Sequence, residues 1–448
     1  MATLNDFGYN TMRENGAEAK GQRPLVIILV EAHNQPLAHS DLYYQNLVFN
    51  IPQSVNNYFL DNSKGRFSFR NAGIIGPLKI SEADAALAIE PLLDRIRDMA
   101  IKTGFNFTAF ETDHNNVVED KELMLLVISN LGDTGGANRG SVTPRKINLD
   151  GLSMNVMAAA VDHRASFTTF AHELSHSLGT VDIYFNNGSG NLAATLMGAT
   201  IFGGPDNMQT FHLDPWHKMV LGWVEPELYD IHDGGGTVSL TVPGAGNVSR
   251  PVLLYDSDYG LNEFLLLEYR SRSAAHHSFF DQDVSDSGLV IWQVIPNGIA
   301  NVIPKVFVLG APDFEKGHSV FWHSDTITDS IPWYEILSRI KLKVHPFLPQ
   351  DNTILVDIIG VSLEIPHQHS PYIYWLIEKV VGVDIYGKFI YHPPKPEVKE
   401  IFTYLAIYEI AETLHGSSRN EVQKVALKGI LKDVELKLKN IEQGPSGV

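Results

Sequence analysis

The sequence predicts an α/β domain, then a β-rich segment, then a helical C-terminal region. Three observations carry this. Strand-length apolar runs alternate with helical periodicity through the first ~180 residues, the pattern of an α/β (α+β) sheet domain. Beyond about Asp230, Gly- and Ser-bearing turns separate short alternating stretches. From about Pro371 apolar residues recur at helical spacing among lysines. The divisions drawn on this basis are 1–230, 231–365 and 366–448.

Taken in order, PLVIILVE from Pro24 reads as a buried strand, apolar, β-branched and bounded by polar residues. Ser54 to Phe69 reads as a short helix, a Gly-bearing turn and a second strand. Ser81 to Thr103 places Ala86, Ile89, Leu92, Leu93, Ile96, Met99 and Ala100 at helical spacing, so one helix is expected. Leu123 to Ile128 (LMLLVI) is another buried strand. In the β-rich segment, strands are expected at Thr237 to Val242, Val252 to Tyr255, Phe264 to Tyr269 and Leu289 to Val294. Toward the end Val422, Val425, Ala426, Leu431 and Val434 keep roughly to one helical face.

Composition narrows the function classes. Hydrophobic residues at 44% and charged residues at 19% fit a folded chain and exclude wholesale disorder. Lys plus Arg (34) against Asp plus Glu (52) gives a net charge of −18, which argues against nucleic acid or an anionic membrane as partner. The chain has no cysteine, so thiolate metal sites, disulfides and cysteine nucleophiles are excluded together. The polar N-terminus has no apolar core of a secretory signal, and Pro24 to Val30 is too short to span a bilayer.

The chemistry concentrates in Ser166 to Tyr184, SFTTFAHELSHSLGTVDIY. Phe167, Phe170, Ala171, Leu174 and Leu178 recur at helical spacing, and Gly179 stands where a helix would stop. His172 and His176, four residues apart, project from one face and can share an ion. Glu173 lies one position round, close enough to take a proton from water activated at the metal. Gly179 would let the chain turn so that Asp182 returns as a third ligand. Two histidines on a helix can instead be surface or satisfied core residues, but the added Gly179 and Asp182 make coincidence a poor account.

HELSHSLGTVDIY (172–184), LMGATIFGG (196–204) and HLDPWHKMVLGWVEP (212–226) resemble the immune inhibitor A family of secreted zinc metallopeptidases. VNNYFLDNSKGRFSF (55–69), EFLLLEYRSR (263–272) and SGLVIWQV (287–294) extend the likeness over roughly Pro24 to Val294, with Gln293 where the family usually has histidine. The resemblance implies a metzincin-like catalytic domain with a mixed sheet and an active-site helix. It implies His172, His176 and Asp182 as zinc ligands, Glu173 as base, Met197 as the methionine beneath the metal, a protein or peptide substrate, and secretion.

A second cluster, Glu111, Asp113, Asn115 and Glu119, resembles a DxDxDG loop that could hold calcium, with Asn116 in the glycine's place; a solvated polar loop is the alternative. Tyr184 is a candidate oxyanion donor. His212 and His217, flanking Trp216, read as packing or surface residues, and the Asn-x-Ser/Thr strings at Asn106, Asn187 and Asn247 are short enough to be accidental. The expected function is a zinc-dependent endopeptidase. The alternatives are an inactive metalloprotease-like binding protein and a zinc hydrolase acting on another substrate. Specificity, activation route and oligomeric state are not written in these motifs.

Overall fold

The structure is a computed structural model. It describes most of residues 19–131, 139–183, 195–198, 211–309 and 340–360, and beyond them Trp322, Val381–Val383, Phe389–Tyr391, Lys428 and Lys432. The chain is mixed α/β, with several sheets and few helices. It divides into two compact units. One comprises Met1–Asp230, Val238–Ser324 and His345–Leu355; the other comprises Ile231–Thr237, Asp325–Val344 and Val356–Val448.

The first unit is built on a five-stranded sheet in the order β2-β1-β4-β8-β5. Its strands are β1 (Gly21–Glu31), β2 (Phe67–Lys79), β4 (Met124–Ser129), β5 (Arg139–Val142) and β8 (Ala158–Asp162). β2, β1, β4 and β8 are parallel, and β5 runs antiparallel to β8 at one edge. Alternation assigns the two faces. Leu25, Ile27, Leu29, Met124, Leu126, Ile128, Ala159 and Val161 enter one core, whereas Val26, Ile28, Val30, Leu125, Val127, Ala158 and Ala160 enter the other. Both faces are covered, as a parallel sheet requires. The first core takes α1 (Val55–Asn62), α3 (Phe167–His176) and α4 (Pro215–Val220), and the second takes α2 (Ile89–Lys102).

β3 (Val117–Glu119), β7 (Leu152–Asn155) and β6 (Lys146–Leu149) form a small sheet in that order. A second five-stranded sheet has the order β14-β13-β12-β11-β9. Its strands are β9 (Glu227–Asp230), β11 (Val252–Asp256), β12 (Gly260–Arg270), β13 (Gly288–Ile295) and β14 (Lys305–Leu309). β10 (Gly236–Thr241), β16 (Thr353–Gly360) and β15 (Ile340–Val344) make a three-stranded sheet.

Three differences from the sequence expectations have physical reasons. The helix expected over Ser81 to Thr103 is two, Glu82–Ala85 and α2, because Ala88 is extended and Pro91, lacking an N–H, is at home only in a first turn. A division at residue 230 would cut one sheet, since β9 pairs in parallel with β11. In the expected helical C-terminal region, β17 (Val381–Val383) and β18 (Phe389–Tyr391) pair antiparallel: two short β-branched or aromatic runs bracket a turn-length segment. Lys428 and Lys432 are helical, and the rest of that region lies outside the described residues. No helix among the described residues is long and apolar enough to cross a membrane.

Candidate metal centre

α3 begins where Ser166, extended at ψ 162°, accepts the Thr169 N–H on its Oγ at 3.4 Å. Phe167, Phe170, Ala171 and Leu174 then bury one stripe, the large side chains contributing about 2 kcal/mol each by burial alone. That fixes the helix rotation and leaves His172 and His176 together on another face. Past the helix Gly179 takes φ 99°, its N–H donating to the His176 carbonyl at 2.9 Å, and Thr180 N–H reaches back to Ser175 O at 3.3 Å. The reversal returns Asp182 to the helix.

Three donor atoms meet there. His172 Nε2 and His176 Nε2 are 3.1 Å apart, with rings nearly perpendicular, and Asp182 Oδ1 lies 3.1 and 3.3 Å from them. Atoms bound about 2.1 Å from a tetrahedral zinc lie about 3.4 Å from one another, close to these edges. The opposite nitrogens settle what the inner ones present. His172 Nδ1 is 3.2 Å from Leu196 O and His176 Nδ1 is 3.0 Å from Thr180 O. A carbonyl only accepts, so each Nδ1 carries a proton, and a ring that is neutral then turns its Nε2 lone pair inward. Two lone pairs and a carboxylate at these separations require positive charge among them, from a cation or from protons on the rings.

The electrostatics agree. Burial opposes ionisation of Asp182, but its hydrogen bonds with both imidazoles hold the carboxyl far below the usual carboxylate range. Burial likewise disfavours the His176 cation, yet Asp182 outweighs it and the ring's pKa is raised. Glu173, buried beside them, has an Oε2 with no hydrogen-bond partner among the described residues, and burial raises its pKa. Nitrogen, nitrogen and carboxylate donors with a raised carboxyl alongside suit zinc and a proton shuttle.

Met197 is buried in a 3₁₀ turn (Leu196–Gly198), joined to the same segment by Thr180 Oγ1 to Sδ at 3.5 Å and by Ile183 N to Met197 O at 3.1 Å. Tyr184 lies outside the described residues, as do Asn187 and Asn247; Asn106 is exposed. His212 and His217 are both fully buried in polar contacts. His212 Nε2 is 2.9 Å from Asp61 Oδ2, and His217 Nδ1 is 2.6 Å from Asp214 Oδ2. Only Asp214, the residue before a proline and a helical run, carried a sequence signal, that of an N-cap.

The acidic loop is assembled differently from the sequence set. Asn115 Oδ1 turns back to the Val117 N–H at 2.7 Å, and the Lys121 ammonium sits between Asp113 and Glu119, 2.9 Å from the latter. Asn116 stands at φ 62°, the left-handed conformation a glycine would take most easily. Glu111 and Asp113 instead approach Glu122, with one oxygen of each within 4.8 Å of the others. Glu122 is buried and accepts from Thr112 N (2.6 Å), Thr112 Oγ1 (2.7 Å), Asp113 N (3.3 Å) and Glu119 N (3.1 Å). It was missed because it lies beyond the loop's alternating positions.

No protein-family model matches the chain, and no curated protein matches it.

Proposed function

We propose that the protein is a zinc-dependent endopeptidase of metzincin-like fold, with His172, His176 and Asp182 as ligands and Glu173 as general base. The observation that carries the reading is the inward Nε2 of both rings, each with its Nδ1 turned to a backbone carbonyl, facing a carboxylate across a zinc-sized gap. The order of motifs that resembles the immune inhibitor A metallopeptidases supports it. The mixed sheet, with the helix of the two histidines against one face, is compatible with it.

A zinc ion held by these residues would supply a water whose pKa falls from ~15.7 to ~7 and a Lewis acid for a peptide carbonyl. With their Nδ1 atoms turned to Leu196 O and Thr180 O, His172 and His176 would commit Nε2 to the ion, and neither ring would then be free to take up the water's proton. Glu173 would accept that proton on its carboxylate as the water oxygen adds to the peptide carbonyl carbon, and its raised pKa would let it return the proton to the amine nitrogen as the C–N bond breaks. Asp182 would offset half the charge of a dication.

Purified protein is expected to carry about one zinc per chain, removable by a strong chelator, and to digest casein or gelatin only when loaded. Glu173→Gln keeps zinc and fold while turnover drops ~10²–10⁴-fold, the range for a general base. Asp182→Ala loses zinc as well. Wild-type protein without zinc, or a Glu173→Gln variant with more than about a tenth of wild-type turnover, sinks the proposal.

A further inference from the structure

Both backbone segments that set the histidine tautomers are tied to one buried pair, Asp214 and His217. Asp214 caps α4, its Oδ1 accepting the His217 N–H at 3.0 Å. Its Oδ2 accepts from Thr195 Oγ1 at 3.0 Å and from His217 Nδ1 at 2.6 Å. With Nδ1 donating to the carboxylate, the neutral ring keeps a lone pair on Nε2, which accepts the Val181 N–H at 3.2 Å. Val181 stands between Thr180, whose carbonyl holds His176, and the ligand Asp182. Thr195 precedes Leu196, whose carbonyl holds His172. Leu196 is thus one residue from an atom bonded to this pair, and so are Thr180 and the ligand Asp182.

A histidine and an aspartate with no exposure are an expensive way to fill a core, since apolar residues of similar volume avoid the desolvation cost. What an apolar residue cannot do is accept a backbone N–H. We propose that Asp214 and His217 are positioning residues of the metal centre, holding Val181 so that Asp182 stays in the ligand set. This inference rests on the zinc reading above. It adds that the third ligand is held from α4 rather than by the helix bearing the histidines.

The test compares two variants in the full chain. In His217→Gln, Oε1 reaches the place of Nε2 and still accepts from Val181, while the donor to Asp214 is lost. In His217→Asn, Nδ2 takes the place of Nδ1 and still donates to Asp214, while Val181 loses its acceptor. Zinc affinity is measured by competition with a chromogenic chelator, beside the melting temperature of the zinc-free proteins. His217→Asn is expected to bind zinc ~10–100-fold more weakly, the usual cost of losing an outer support, and His217→Gln to recover most of that loss. Equal affinity loss in both variants, in step with melting temperature, would make the pair merely structural and overturn the inference. So would unchanged affinity in His217→Asn. If His217→Asn does not fold, Thr195→Val removes the hydroxyl from Asp214 with little change of shape, and wild-type zinc affinity there overturns the inference equally. Wild-type protein that takes up no zinc overturns the metal reading itself, an outcome separable because it needs no variant.

Discussion

Gly179 shows how one residue turns a helix into a site. At φ 99° it occupies backbone space that an L side chain enters only at a cost on the order of 1–2 kcal/mol. Gly179→Ala should lower unfolding stability by about that much in a urea titration. It should also weaken zinc binding, because Thr180 and Asp182 lie directly downstream. If neither quantity moves, the turn is not what delivers Asp182. At this scale the sequence was informative wherever chemistry is local. Four-residue spacing put His172 and His176 on one face without any knowledge of the sheet, and a stop signal with an acid three residues on gave Asp182. The tie from His217 to Val181 crosses 36 residues and exists only after α4 docks, so no spacing rule could reveal it.

Among the elements, the loop between α2 and β4 shows where local patterning misleads. Oxygen-bearing side chains at 111, 113, 115 and 119 suggested a ligand ring, but folding turns Asn115 inward to cap its own turn and places Lys121 among the acids. The organising group is Glu122, which gathers the N–H groups of Thr112, Asp113 and Glu119. Glu122→Ala should cost about 2–3 kcal/mol or more in chemical denaturation, since it strands several donors of a buried turn. Calcium binding by Glu111 and Asp113 with Glu122 makes a separate demand: millimolar calcium must raise the melting temperature of wild type and not of Asp113→Asn. Matching curves with and without calcium in the wild type would return the loop to an ordinary polar turn. Strands were legible in proportion to their burial. β1 and β4, apolar on both faces, stand out in the sequence, whereas β2 runs past Gly73, Gly76 and Pro77, residues that normally break strands. β2 lies at the sheet edge, where a missing ladder N–H can be tolerated.

For the whole molecule the dominant global quantity is charge. A net −18 repels itself in the folded state, and the repulsion is screened as the Debye length falls from about 10 Å at 0.1 M salt to about 3 Å at 1 M. The melting temperature should therefore rise with sodium chloride over that range, and a steady fall would show that attractive pairs such as those around Lys121 outweigh the excess. The mixed α/β character was legible from alternating periodicities. The grouping of the chain into units was not, because pairing of β9 with β11 across a change of texture is a tertiary fact. One consequence follows from how the donors are spaced along the chain. His172, His176 and Asp182 fall within eleven residues, so an ion bound to them cross-links a very short loop and removes little freedom from the unfolded chain. What such an ion adds to stability is its binding free energy in the folded state, whereas the strand pairings of the central sheet involve none of its ligands. Its loss would silence the centre and leave the scaffold standing.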